Sequence, residues 1–120
     1  MAKINKLEDI EIYHFSLELA RKIYTLTRNP LISKDFSLVH QLRSAVLSIP
    51  ANIAEGYGRR TKKDFAQFLS IALGSSNEVV AYLDFITLEY KIDTSQLKDA
   101  YNILAKKIYS FRSYLLTHNA

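Results

Sequence analysis

The sequence predicts an all-α protein folded as an antiparallel, up-down-up-down four-helix bundle, with residues 1–120 forming one domain. Three observations carry this. Apolar residues recur at steps of three and four over long stretches, which places them on one face of a helix. Only three glycines and two prolines interrupt 120 residues, too few for an all-β fold that needs a turn every 8–12 residues or so. The connections that the breakers imply are short, so consecutive helices are antiparallel neighbours.

The first helix is expected from about Lys6 to Arg28, with a seam of Leu7, Ile10, Tyr13, Leu17, Ala20 and Tyr24 and a second apolar set from Ile12 to Leu26. Asn29-Pro30 ends it, because a residue before proline is pushed out of the α region. The second helix runs from a capping Asp35 to Tyr57 along Val39, Leu42, Val46, Ile49 and Ile53. It contains Pro50, which removes one backbone hydrogen bond and should bend the helix without stopping it; Gly56 and Gly58 should end it. Thr61 to Asp64 reads as a capping box opening the third helix, which continues to Tyr90. The columns Phe65, Ala72, Val79, Ile86 and Leu69, Ser76, Leu83, Tyr90 form its buried side, and Lys63, Ser70, Asn77, Asp84, Lys91 its solvent stripe. Asp93-Thr94-Ser95-Gln96 caps the fourth helix, whose heptad is Leu97, Tyr101, Leu104, Ile108, Phe111, Leu115.

Composition excludes several classes of function. The chain has no cysteine, hence no disulfide framework, no thiolate nucleophile and no cysteine-ligated metal. No apolar run reaches membrane length and the N-terminus lacks a signal-type apolar core, so the expected location is cytoplasmic, away from membranes. Phosphate-loop and nucleophile-elbow patterns are missing, and the single Glu-x-x-His step, Glu11 to His14, has no second copy to complete a di-metal bundle. The expectation is a non-enzyme with no cofactor and no metal.

Charge is the more informative signal. Net charge is +4, and the bundle topology collects Arg59, Arg60, Lys62, Lys63, Lys3, Lys6 and Arg112 at one end against Glu8, Asp9, Glu55 and Asp64. Charges at the other end cancel. Arg59, Arg60, Lys62 and Lys63 are therefore the candidate nucleic-acid-binding residues. A polar stripe of Gln41, Ser48, Asn52, Glu55 and Arg59 follows one face of the second helix. Glu78 stands between Ile71 and Phe85 in a seven-residue column, as if buried, and hairpin positions summing to about 121 bring Arg43 level with it. The expected polar network thus comprises Arg43, Asn52, Glu55 and Glu78, with Arg43 and Glu78 paired directly or through one neighbour. Ile71, Leu73, Val80, Tyr82, Phe85 and Leu88 exceed what one four-helix core covers, which predicts a homo-oligomer.

The segments Gln41-Leu42-Arg43-Ser44-Ala45, Ser48-Ile49-Pro50-Ala51-Asn52-Ile53-Ala54-Glu55-Gly56-Tyr57-Gly58-Arg59, Phe68-Leu69 and Ile71-Ala72-Leu73-Gly74-Ser75 resemble the four-helix bundle proteins encoded by intervening sequences in 23S ribosomal RNA genes. The register covers residues 7–116 or so. The family is also similar to accessory proteins of diversity-generating retroelements, which form pentameric barrels and associate with RNA and a reverse transcriptase. The resemblance implies a non-catalytic bundle, a homopentamer, and RNA or a ribonucleoprotein as partner; the alternative is a purely structural self-assembling protein without nucleic-acid contact. Two positions depart from the family pattern: Ser44, where a second Arg is frequent, and the Asn29–Lys34 loop, which lacks the usual acidic segment.

Overall fold

Steps of three and four along the sequence become four helices: α1 Glu11–Thr27, α2 Phe36–Tyr57, α3 Lys62–Tyr90 and α4 Ser95–Thr117. The computed structural model describes residues 10–118. The expected start of the first helix, seam residue Leu7, and the charged residues Lys3, Lys6, Glu8 and Asp9 lie outside the described residues. Each helix packs against its sequence neighbours, and α1 closes on α4. The result is a four-helix bundle with one apolar core running its full length.

The core follows the seams of α2, α3 and α4, whereas in α1 it takes Ile12, Leu19 and Ile23 of the second apolar set and leaves Tyr13, Leu17 and Tyr24 of the expected seam half-buried. Leu42, Val46, Ile49 and Ile53 of α2, Leu69, Ala72, Val79, Leu83 and Ile86 of α3, and Tyr101, Leu104 and Ile108 of α4 are fully buried. Ile32, in the loop between α1 and α2, is equally buried and plugs that end of the core. The loop holds its shape through the Asn29 side chain, whose oxygen accepts from the Leu31 amide at 2.9 Å.

Two helix starts have the expected side-chain caps. Asp35 accepts from the Leu38 amide at 3.2 Å, and Thr61 Oγ1 accepts from the Asp64 amide at 3.0 Å. The cap of α4 is built differently. Thr94, the residue before the helix, is buried and donates its hydroxyl back to the Leu83 carbonyl of α3 at 3.1 Å, so Asp93 accepts from the Ser95 amide at 2.9 Å instead. That bond to Ser95 also holds the Asp93 carboxyl below its ordinary pKa.

Helix α2 passes through Pro50 without ending. Gly56, expected to terminate α2, lies inside it and is buried, and α2 is capped by Gly58 with an ordinary negative φ of −76°. Its reason is proximity, since a Cβ on Gly56 would stand 2.7 Å from Phe65 Cδ1 and 2.9 Å from Phe68 Cβ of α3.

Among the described residues the left-handed one is Lys91, which caps α3 at φ 57° and ψ 35°. Glycine adopts this geometry without the Cβ clash. Lys91→Gly should therefore raise stability by about 0.5–1 kcal/mol, the relieved strain exceeding the added entropy of the unfolded chain. A urea midpoint at or below that of the unsubstituted protein would count against this account.

Candidate nucleic-acid interface

The turn between α2 and α3 brings the four candidate cations to one end of the bundle, beside the last turn of α4. Lys62 reaches that turn directly and donates its ammonium to the His118 carbonyl. A cation there also opposes the negative end of the α4 dipole. Arg59 donates to Glu55 Oε1 at 2.6 Å, the i, i+4 pair that the sequence spacing allows, and its guanidinium lies 4.8 Å from the centre of the Phe68 ring. Arg60 and Lys63 are exposed, and among the described residues neither forms an ion pair. Arg112, one face further round on α4, donates to Ser70 Oγ at 2.7 Å and keeps its charge uncompensated. Ser70, placed on the solvent stripe by spacing, is thus a half-buried contact of α4.

Among the described residues at this end, Arg59, Arg60, Lys62, Lys63 and Arg112 face Glu55 and Asp64, which preserves the expected excess of positive charge. The opposite end is balanced and internally bonded. There Tyr90 donates its hydroxyl to Asp35 at 2.6 Å, which raises the tyrosine pKa, and Lys98 pairs with Asp84 at 2.8 Å.

The family model for the 23S rRNA-intervening sequence protein matches residues 8–110. The chain belongs to this family. Its fold is similar to that of a protein of unknown function from the S23 ribosomal protein family of Bacteroides thetaiotaomicron, with a TM-score of 0.75 and 27% identity. The match covers 84% of this chain and 97% of that one. No curated protein matches. Among the described residues of this 23S rRNA-intervening sequence protein, no helix is long and apolar enough to cross a membrane.

The expected polar network does not form as one unit in this family member. Glu78 is exposed, as are Ile71 at 52% and Phe85 at 46%, so the column that seemed buried is an outer stripe of α3. Arg43 does not pair with Glu78. It turns to α1, where Nε donates to Thr27 Oγ1 at 2.9 Å and the guanidinium lies 4.2 Å from the Tyr24 ring centre. Glu78 instead accepts from the Tyr82 hydroxyl at 3.1 Å, and its carboxylate raises the pKa of that phenol together with desolvation, the larger cause. Asn52 donates to the Ser48 carbonyl and hydroxyl at 2.8 and 3.0 Å, and Ser48 bonds Ser75 across the α2–α3 boundary at 2.9 Å. Glu55 serves Arg59. The polar stripe of α2 is therefore the rim of its contact with α3, neither buried nor wholly solvated.

Two further expectations meet the geometry. Glu11 pairs with Lys107 of α4 at 2.8 Å, and His14 meets the edge of Tyr13 at 5.7 Å, a structural use of both residues of the Glu-x-x-His step. The apolar surplus of α3 is exposed at Ile71, Phe85 and Leu88, with Leu73, Val80 and Tyr82 half-buried.

Proposed function

We propose that this bundle is a non-catalytic, cytoplasmic assembly protein that binds structured RNA through its basic end. The carrying observation is the excess of cations at the α2–α3 turn, where Arg60 and Lys63 are exposed and unpaired. The exposed Ile71 and Phe85 support self-association through the outer face of α3, and the family resemblance supports a pentamer. Symmetric assembly would repeat Arg60 and Lys63 around a ring, so weak phosphate contacts add through multivalency. Without base-reading groups at this end, recognition is of shape and backbone.

Filter binding of a structured RNA at two salt concentrations tests this. Replacing both Arg60 and Lys63 with alanine should weaken binding at least fivefold and flatten the slope of log affinity against log salt by about 1.4–1.8, the share of two phosphates. Equal affinity and slope for the double variant would remove the basic end from the reading. A second reading, assembly without nucleic acid, draws support from Arg59 and Lys62, which are committed to Glu55 and the His118 carbonyl within the same chain. No binding at low salt, with a sedimentation mass several times that of one chain, would favour it.

A further inference from the structure

We propose that the outer face of α4 takes a single-stranded segment of the bound RNA, with Tyr109 as the ring on which an unpaired base stacks, a role that rests on RNA binding at the basic end. Asn102, Lys106, Tyr109, Ser113 and Leu116 follow one another at steps of four and three and therefore share one face of α4. Tyr109 stands outside the heptad that fills the core. Its ring is 60% exposed, and among the described residues its hydroxyl has no hydrogen-bond partner. A ring left in water with neither packing nor a hydrogen bond gains from any flat partner laid against it.

The charge around that ring decides what the partner is. From Ala100 to His118 the chain carries no aspartate or glutamate. The two carboxylates that pair with α4 are already taken, Glu11 of α1 by Lys107 and Asp84 of α3 by Lys98, each at 2.8 Å. Lys106, one turn before Tyr109, is exposed and forms no ion pair among the described residues. Arg112, one turn after it, donates Nε to Ser70 Oγ at 2.7 Å, so its guanidinium is anchored by a neutral group and keeps its full charge. An exposed ring between two uncompensated cations suits a chain of phosphates that carries flat bases. The cations take the backbone and the ring takes a base.

This face is continuous with the basic end. Lys62 donates to the His118 carbonyl, which holds the last turn of α4 against the first turn of α3, next to Arg60 and Lys63. From Leu116 back to Lys106 the stripe is about 15 Å long. A strand leaving a stem bound at Arg60 and Lys63 can therefore run along α4 past Tyr109 toward Lys106. Paired bases are stacked within their own duplex and offer Tyr109 nothing, so the fitting class is a structured RNA with an unpaired segment beside its stem. Every base has a face that stacks, which keeps sequence preference small.

Fluorescence anisotropy with a labelled blunt hairpin, the same hairpin carrying four unpaired adenosines at its 5′ or its 3′ end, and matching hairpins with abasic tails tests this. The abasic tails keep the phosphates and lack the bases. In one polarity the adenosine tail should bind at least fivefold more tightly than its abasic counterpart. Tyr109→Ala should remove that difference and leave the blunt hairpin unchanged, whereas Tyr109→Phe should preserve it, because the ring stacks and the hydroxyl does not. Lys106→Ala should weaken both kinds of tailed hairpin alike. Equal binding of adenosine and abasic tails in both polarities, or a preference that survives Tyr109→Ala, would overturn the proposal and leave the basic end in place. If replacing Arg60 and Lys63 with alanine leaves the blunt hairpin unaffected while the Tyr109-dependent preference persists, the basic end fails and the α4 face stands. No binding of any of these RNAs would overturn both. A lower sedimentation mass for Tyr109→Ala would make this face a contact between copies of the chain and overturn it as an RNA surface.

Discussion

Gly56→Ala is expected to destabilise the bundle by about 1–3 kcal/mol, although alanine is the better helix former. The added Cβ would enter at 2.7 Å from Phe65 Cδ1 and 2.9 Å from Phe68 Cβ, closer than carbon atoms approach in packed interiors. The Phe68 contact is the harder to relieve, because a Cβ moves only with its backbone. Phe65 is itself fixed, with its ring edge-on to Phe111 at 5.5 Å and to Tyr57 at 6.4 Å. The clash must therefore be met by separating α2 from α3, which weakens packing along the turn that presents Arg60 and Lys63. Gly74 supplies the control. A Cβ there meets nothing within 4 Å, so Gly74→Ala should stabilise by about 1 kcal/mol through helix propensity alone. The same chemical change would thus have opposite signs at two glycines, readable from urea midpoints at unchanged slope. Destabilisation of equal size at both positions would show that close approach is not what glycine provides at Gly56.

Where one face of a helix is apolar, the sequence was sufficient: the columns through Leu69 and Phe65 of α3 and the seam of α2 are buried as their periodicity indicates, apart from Tyr90 and Val39 near the helix ends, which are half-buried. Caps were legible where the side chain still serves its own helix start, as for Thr61 and for Asp35, whose second carboxylate oxygen is left to accept from Tyr90. They were misread where tertiary structure offers a competing partner, as when Thr94 turns from its own helix to the Leu83 carbonyl. Gly56 shows the same limit, since a glycine near a helix end is read as a stop unless the approach of α3 is known. Among the candidate site residues, hairpin level was nearly right, because Ser48 meets Ser75 and Gln41 approaches Tyr82 at 3.5 Å. Direction around the helix was not. Level tells how far along the bundle Arg43 and Glu78 lie, while the flank each one occupies depends on which neighbour is closer, and Arg43 is on the α1 flank of α2. Apolar neighbours above and below Glu78 did not signal burial, because Ile71 and Phe85 are exposed with it. The contacts of Arg43 with Thr27 and Tyr24 could not be found by spacing at all, since they join two helices without a repeating pattern.

Tyr101→Phe is expected to raise stability by about 1–3 kcal/mol at neutral pH, an unusual direction for a change at a fully buried residue. Tyr101 has no exposed surface, and among the described residues its hydroxyl is the buried side-chain group without a hydrogen-bond partner. The backbone there is well served, since Ser76 donates its hydroxyl to the Tyr101 carbonyl at 3.3 Å. Folding therefore desolvates the phenol oxygen and returns nothing for it, while the ring contributes its full apolar area to the core. Phenylalanine keeps the ring and removes the penalty. Alkaline pH provides an independent reading, because burial raises the Tyr101 pKa above its ordinary value of 10.0. Above that pH the unfolded phenol loses its proton while the folded one keeps it, so the native state binds more protons and stability falls as pH rises, by up to about 1.4 kcal/mol per pH unit. Below the ordinary value neither state titrates at this group. The difference between the Tyr101→Phe variant and the unsubstituted protein should accordingly be constant through neutral pH and widen above pH 10. Loss of stability in the variant at neutral pH would mean that the hydroxyl is hydrogen-bonded in solution, for instance to a buried water, and would sink the argument from desolvation.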